Sequence, residues 1–132
     1  MELEDLIREF IDQPVWAVVG ASTDPTKFGN KVFRSLREAG YTVYGVNSRG
    51  GALEGQRLYR SLADLPQTPA VVDTVVPPAV TERIVQQCAE LGITRVWMQP
   101  GSESQAAIAY CHEHSIQVVH HACAMVRRRT WS

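Results

Sequence analysis

Gly20, between an apolar strand and the start of a helix, opens the stretch whose residue types and spacing most directly suit a chemical task, the holding of a phosphate. A Gly-Ala-Ser turn and a short polar loop follow the apolar run Val15-Trp16-Ala17-Val18-Val19 and lead into a helix with Phe28, Val32, Phe33, Leu36 and Ala39 on one face. Gly20 ends the strand with a residue that can take φ > 0. A strand running straight into a helix N-terminus aims backbone N–H groups at one point, where an anion fits. A helix terminus alone contributes about 0.3–1 kcal/mol at an exposed site, so cations, Lys27 and Arg49, have to add to it.

Other reactive side chains are weaker candidates. His120, His121 and Cys123 sit together after the last strand, but a metal needs three or four converging ligands. Adjacent histidines on a strand end would also point to opposite faces. Edge residues are the simpler reading, with Cys123 and a histidine base as a conceivable nucleophile. Asp73 interrupts an apolar strand; it is either a buried acid with a shifted pKa or a carboxylate paired with a backbone or Arg partner. Cys88, Cys111, Trp16 and Trp97 read as core. Arg127-Arg128-Arg129 reads as a solvated run, and Trp131 has no assigned partner.

The elements that must position these residues can be taken in order. Leu3, Leu6, Ile7, Phe10 and Ile11 predict a short amphipathic helix closed by Pro14. Residues 1–13 are expected to cover part of the sheet; a dimer contact is the other use open to them. After the first strand and long helix, with Gly40 past its end, Tyr41–Val46 is the second strand. Leu53–Tyr59 reads as irregular, with a brief strand around Arg57–Tyr59. Ala70–Val76 is the third strand, and Pro77-Pro78 opens a helix closed by Gly92. Thr94–Met98 is a strand, Ser102 and Gln105 form a capping box for the helix that follows, and Ile116–Val119 is the last strand. Strands alternating with helices predict an α/β, Rossmann-like, doubly wound parallel sheet of about five strands in three layers. Residues 1–132 read as a single domain. Ligands of such sheets sit beyond the carboxyl ends of the strands. That singles out Gly20–Lys27, Asn47–Gly51, Val76–Pro78 and Gln99–Ser102, all on one edge.

Composition narrows the function. The 132 residues carry a formal net charge of -1, which argues against nucleic acid. Three cysteines without CxxC spacing argue against a disulfide framework and suit a cytoplasmic setting. No apolar run reaches membrane-span length. A dinucleotide would want G-x-G-x-x-G, but the next glycine after Gly20 is Gly29; it would also want an acid after the second strand, where Asn47 stands beside Ser48 and Arg49.

The succession GAS…KFGNKV, YGVNSRGG, TVVPP, WMQPGSES and CAMV resembles the small stand-alone CoA-binding domain proteins, which are similar to the N-terminal domain of the succinyl-CoA synthetase α subunit. The resemblance runs from about Pro14 to Arg128, and its most specific parts are Val76-Pro77-Pro78 and Trp97–Gly101. It implies that Gly20, Ala21, Ser22 and Lys27 hold phosphates and that Asn47 and Arg49 meet the adenosine end. It implies further that Val76, Pro77 and Pro78 form an apolar wall and that Gln99, Pro100 and Gly101 flank the pantetheine arm. The sequence departs from the family at Ser48, where a proline is common, and at Arg127, where an acid is usual, so that a local charge pair is missing or reversed.

The leading reading is non-catalytic binding of coenzyme A or acyl-CoA at the carboxyl edge of the sheet, without the synthetase's phosphohistidine chemistry. Cys123 is the cysteine nearest the expected thiol end, and a mixed disulfide there is a hypothesis. The alternative is a nucleotide-dependent enzyme, either an NAD-type dehydrogenase or an acyl-CoA transfer component that needs a partner chain. A third reading is an interaction domain with a vestigial groove. A homodimer and a partner protein both remain open.

Overall fold

In the computed structural model, which describes residues 2–131, the apolar run Val15–Val19 is the central strand β1 of a seven-stranded sheet. It is preceded by α1 (Leu3–Ile11) and followed by α2 (Phe28–Glu38), β2 (Thr42–Val46), β3 (Ala52–Leu53), β4 (Gln56–Tyr59) and a 3-10 turn (Leu62–Asp64). The chain continues through β5 (Val71–Thr74), α3 (Pro78–Leu91), β6 (Arg95–Met98), α4 (Gln105–Glu113), β7 (Gln117–Val119) and α5 (Ala124–Arg127). The strand order is β3-β4-β2-β1-β5-β6-β7, parallel except for β3, which runs against β4. This is a doubly wound, Rossmann-like α/β fold. Its order reverses between β1 and β5, the topological switch point at which such sheets bind ligands.

Both faces of the sheet are covered, as its near-continuous apolar strands require. Trp16, Val18, Val71 and Trp97 pack with Ile7 and Phe10 of α1, Phe33 and Leu36 of α2, and Ala124 of α5. Ala17, Val19, Val72, Val96 and Met98 face the other way, onto Ile84, Val85 and Cys88 of α3 and Ala107 and Cys111 of α4. Burial pushes the Cys88 and Cys111 thiols up to about 12, which keeps them protonated and inert.

The five expected strands and the brief one expected around Arg57–Tyr59 (β4) are present, and the sheet gains one more, β3, beside it. The β3–β4 hairpin turns on Glu54 (φ 49°) and Gly55 (φ 77°), successive positive-φ residues as in a type I′ turn. Its only buried side chains, Leu53 and Leu58, are too few to advertise a hairpin in the sequence. The third strand stops at Thr74 rather than Val76, because Val75 and Val76 bend into the site.

The C-terminal segment returns across α1 and the end of α2. Arg127 pairs with Glu4, Arg129 pairs with Asp12 at 3.3 Å, and the Trp131 N–H donates to the Ala39 carbonyl at 2.6 Å. The Trp131 ring meets Tyr41 edge-on at 5.6 Å, and a Cβ on Gly40 would lie 2.7 Å from Trp131. The arginine run expected to be solvated thus supplies ion pairs to the first helix, and Arg127 has an acidic partner in Glu4.

Candidate functional site

The loops after β1 and β5 touch at the switch point. Gly20 has φ 99°, and a Cβ there would lie 2.2 Å from the Val75 carbonyl oxygen. Its N–H is committed to the Val46 carbonyl at 2.9 Å, so Gly20 serves the site through its backbone shape rather than as a donor. Gly29, in the first turn of α2, lies against the same loop: its Cβ would fall 1.9 Å from the Gly20 carbonyl oxygen. Asn30 donates to the Ser22 carbonyl at 2.8 Å, and Arg34 holds the Asn30 amide oxygen at 2.6 Å. Ser22 Oγ accepts the Asp24 N–H, and Asp24 accepts both the N–H and the hydroxyl of Thr26, which hold its carboxyl below the usual value. Lys27 is the exposed N-cap of α2, and no side chain caps that helix.

Asn47 joins this loop to the one after β2. Its amide donates to the Ala21 carbonyl at 2.8 Å, and its Oδ1 accepts the Arg49 N–H at 2.9 Å. Beside it opens a cavity of about 380 Å³ lined by Gly20, Asn47, Ser48, Arg60, Ser61, Val76, Val80, Arg83, Ile84 and Gln87, with Val19 and Val46 behind them. On the other side of Val76 lies a second, apolar cavity of about 540 Å³ lined by Phe28, Val75, Val76, Pro77, Gln99, Pro100, Gly101 and Ser102. Phe28 stands at its mouth, 42% exposed. The two cavities adjoin at Val76, one polar and basic and the other apolar, and together make up the cleft.

Three buried hydroxyls tie the walls of the apolar cavity together. Ser102 Oγ lies 2.8 Å from Thr74 Oγ1 at the end of β5 and 2.7 Å from Thr81 Oγ1 in the first turn of α3. The capping role expected of Ser102 falls instead to Ser104, whose Oγ accepts the Ala107 N–H at 3.1 Å. Beneath the floor, Gln99 donates to Asp73 Oδ2 at 3.0 Å and accepts the Ala124 N–H at 3.4 Å. Asp73 is fully buried, its Oδ1 has no partner, and burial drives its carboxyl well above the ordinary value, against the one opposing bond from Gln99. Its partner is a neutral amide, not the backbone or arginine expected, so burial favours the protonated acid.

The residues singled out from the sequence fall into two groups. Gly20, Asn47, Val76, Pro77, Gln99, Pro100 and Gly101 line the cleft, while Ala21, Ser22, Lys27, Arg49 and Pro78 stand around it without lining either cavity. His120 and His121 are not on a strand: β7 ends at Val119, and His121 takes φ 62°. Their rings meet edge-on at 4.4 Å, and burial, then the neighbouring His121, hold His120 below its usual value. Among the described residues no group of three His, Cys, Asp or Glu could hold a metal ion, and no helix is long and apolar enough to cross a membrane.

Residues 14–129 match the family described as "CoA binding domain". The chain belongs to that family. Among curated proteins this CoA binding domain is 37% identical over 81 residues to acetate–CoA ligase (ADP-forming) II subunit alpha of Pyrococcus furiosus, covering 61% of this chain and 18% of that protein. It is 32% identical over 83 residues to the I subunit alpha of the same organism, covering 58% of this chain and again 18% of the relative. The chain thus spans about a fifth of the length of the curated relatives it matches. A solved hypothetical protein from Pyrococcus horikoshii is 34% identical with a TM-score of 0.90, covering 96% of this chain and 89% of that one. A dinucleotide-forming acetyl-coenzyme A synthetase 1 of Candidatus Korarchaeum cryptofilum is 25% identical with a TM-score of 0.70, covering 89% of this chain and 26% of that one.

Two arginines that line the CoA binding domain's cleft, and two threonines that brace it, went unmarked in the sequence. Arg60 follows a strand expected only as a brief one, and Arg83 lies on the polar side of a helix, where arginine is commonplace. Thr74 and Thr81 read as ordinary strand and helix residues. Only the succession Val76-Pro77-Pro78 hinted that the chain between Thr74 and Thr81 forms part of a wall.

Proposed function

We propose that this chain, as a single unit, binds coenzyme A or an acyl-CoA without catalysing a reaction on it. The observation that carries the reading is the cleft that changes character at Val76, from a cavity with two guanidinium groups to one lined by Phe28, Val75, Pro77 and Pro100. CoA has the matching asymmetry, with phosphates at one end and a neutral amide-and-thiol arm at the other. In this reading the pyrophosphate lies at the switch point beside Gly20, Ala21 and Ser22, facing the uncapped start of α2 and the Lys27 ammonium. Asn47 and Arg49 shape the adenosine side. The arm follows Val76, Pro77 and Pro78 towards Gln99, Pro100 and Gly101.

Two features favour this over a dehydrogenase. The position after β2 is Asn47, whose amide is committed to two backbone partners, so no acid is offered to a ribose diol. The nearby acids also lack the freedom of a proton carrier, since Asp24 is bonded to Thr26 and Asp73 is sealed in the core. A second reading has one observation behind it: the curated relatives are named as ligase subunits, which favours an acyl-CoA component completed by a partner chain.

Calorimetric titration at low salt tests the proposal with CoA, acetyl-CoA, ATP and NAD. CoA should bind at least about tenfold more tightly than ATP or NAD. At a hundred times its dissociation constant it should also stabilise the fold by about 2.7 kcal/mol. CoA binding no better than ATP or NAD would overturn the reading.

A further inference from the structure

We propose that Arg60 and Arg83 grip a phosphate monoester on the ligand's ribose, so that this chain distinguishes CoA from its 3′-dephospho form. The inference rests on the CoA reading above and assigns the part of the cleft that reading leaves unspecified.

The two arginines come from distant parts of the chain, one directly after β4 and one from the second turn of α3, yet they line the same cavity. Both are exposed, and neither belongs to an ion pair among the described residues. No Asp or Glu lines the cavity to neutralise them; its other polar side chains are Asn47, Ser48, Ser61 and Gln87. Two unpaired guanidinium groups with hydroxyl and amide neighbours present many N–H and O–H donors to an anion.

Position identifies which phosphate they meet. The sheet runs outward from the switch point through β1, β2 and β4 on one side, and through β5 and β6 on the other. The apolar cavity lies past β5 and β6, so the neutral arm takes that side. The pyrophosphate occupies the switch point, which leaves the nucleoside over the ends of β2 and β4. Where a dinucleotide site would place a carboxylate for a free ribose diol, this chain has Asn47 with arginines beyond it, the arrangement that suits a phosphorylated ribose. A monoester carries about −1.5 to −2 charges near neutral pH and accepts bidentate bonds from guanidinium, so it is the group this corner fits. Arg49 shares the neighbourhood but lies outside the cavity lining.

The test is a titration of the full chain and of its Arg60→Gln and Arg83→Gln variants with CoA and with 3′-dephospho-CoA. The parent chain should prefer CoA by about tenfold or more, the scale of a charge-assisted hydrogen bond. Each variant should lose most of that preference through weaker CoA binding, while its affinity for dephospho-CoA stays within about twofold. Equal binding of the two ligands by the parent chain would overturn this proposal and leave the CoA reading standing. A preference that persists in both variants would overturn the assignment to Arg60 and Arg83. Binding of neither ligand would overturn both. Because the two side chains are exposed, unchanged melting temperatures should accompany the affinity changes.

Discussion

Gly29→Ala sets two opposing effects against each other at one atom. Gly29 lies in α2 with ordinary helical geometry, where alanine is intrinsically preferred over glycine by up to about 1 kcal/mol. On propensity alone the substitution should stabilise. The added Cβ, however, falls 1.9 Å from the Gly20 carbonyl oxygen, whereas ordinary contact begins near 3.4 Å, so helix and loop must part by the difference, about 1.5 Å. Neither side yields cheaply. The oxygen is backbone in a loop locked by the Gly20–Val46 bond, and α2 is anchored by Val32, Phe33 and Leu36, all fully buried. Overpacking of this kind costs about 1–3 kcal/mol, and relief without separation would cost more. The expected net effect is a loss of about 1–2 kcal/mol, with a fall of several degrees in melting temperature. CoA affinity should fall as well, because the start of α2 moves away from the switch point. Urea unfolding followed by the buried Trp16 and Trp97, together with a CoA titration, measures both. A Gly29→Ala protein at least as stable as the parent, with unchanged affinity, would refute the close approach and the role given to this loop.

Three further outcomes follow from the site. Ser102→Ala removes the middle hydroxyl of a buried chain and strands Thr74 and Thr81, so urea unfolding should show a loss of about 1–3 kcal/mol; an unchanged midpoint would contradict it. Asp73 keeps its proton when folded but loses it above about pH 4 when unfolded, so the folded state binds more protons; its contribution is fully favourable below that pH and declines as pH rises towards the raised folded value. Asp73→Asn should remove this decline, so that parent and variant urea midpoints diverge progressively between pH 4 and 8; parallel curves would exclude a protonated Asp73. Lys27→Ala should weaken CoA binding several-fold by titration while leaving stability within about 0.5 kcal/mol, since the side chain is exposed; a large stability loss with unchanged binding would make the loop mere scaffold.

The sequence revealed what depends on local patterning and concealed what depends on juxtaposition. Val15–Val19 announces a doubly covered strand because every position is apolar, and Pro78 and Gly92 bracket α3 through their backbone preferences. The loops at Gly20, Asn47, Val76 and Gln99 were legible as neighbours because parallel strands bring their carboxyl ends to one edge. Of the β3–β4 hairpin only the second strand was legible, as a brief one, since Leu53 and Leu58 alone carry its burial. Gly29 escaped notice for a different reason. The spacing of a dinucleotide fingerprint directs attention to the positions just after Gly20, whereas here a longer loop lets a glycine nine positions on make the close helix–loop contact. Asp73 could be recognised as a buried acid, but its amide partner lies on another strand and nothing in the sequence points to Gln99. Arg60 and Arg83 share a cavity only through the winding of the chain.

The hydroxyl chain Thr74–Ser102–Thr81 bears on how the cleft receives a ligand. It joins the end of β5, the opening turn of α3 and the turn after β6, the three segments around the apolar cavity. A displacement of any one would break a link inside a site too buried for water to replace it readily. The cavity is therefore preorganised: its walls are ordered during folding, and association need not order them again. In the proposed CoA reading an arm entering between Pro77 and Pro100 meets a fixed gap, so chain length and branching of an acyl group should alter residence time more through fit than through rearrangement of the walls.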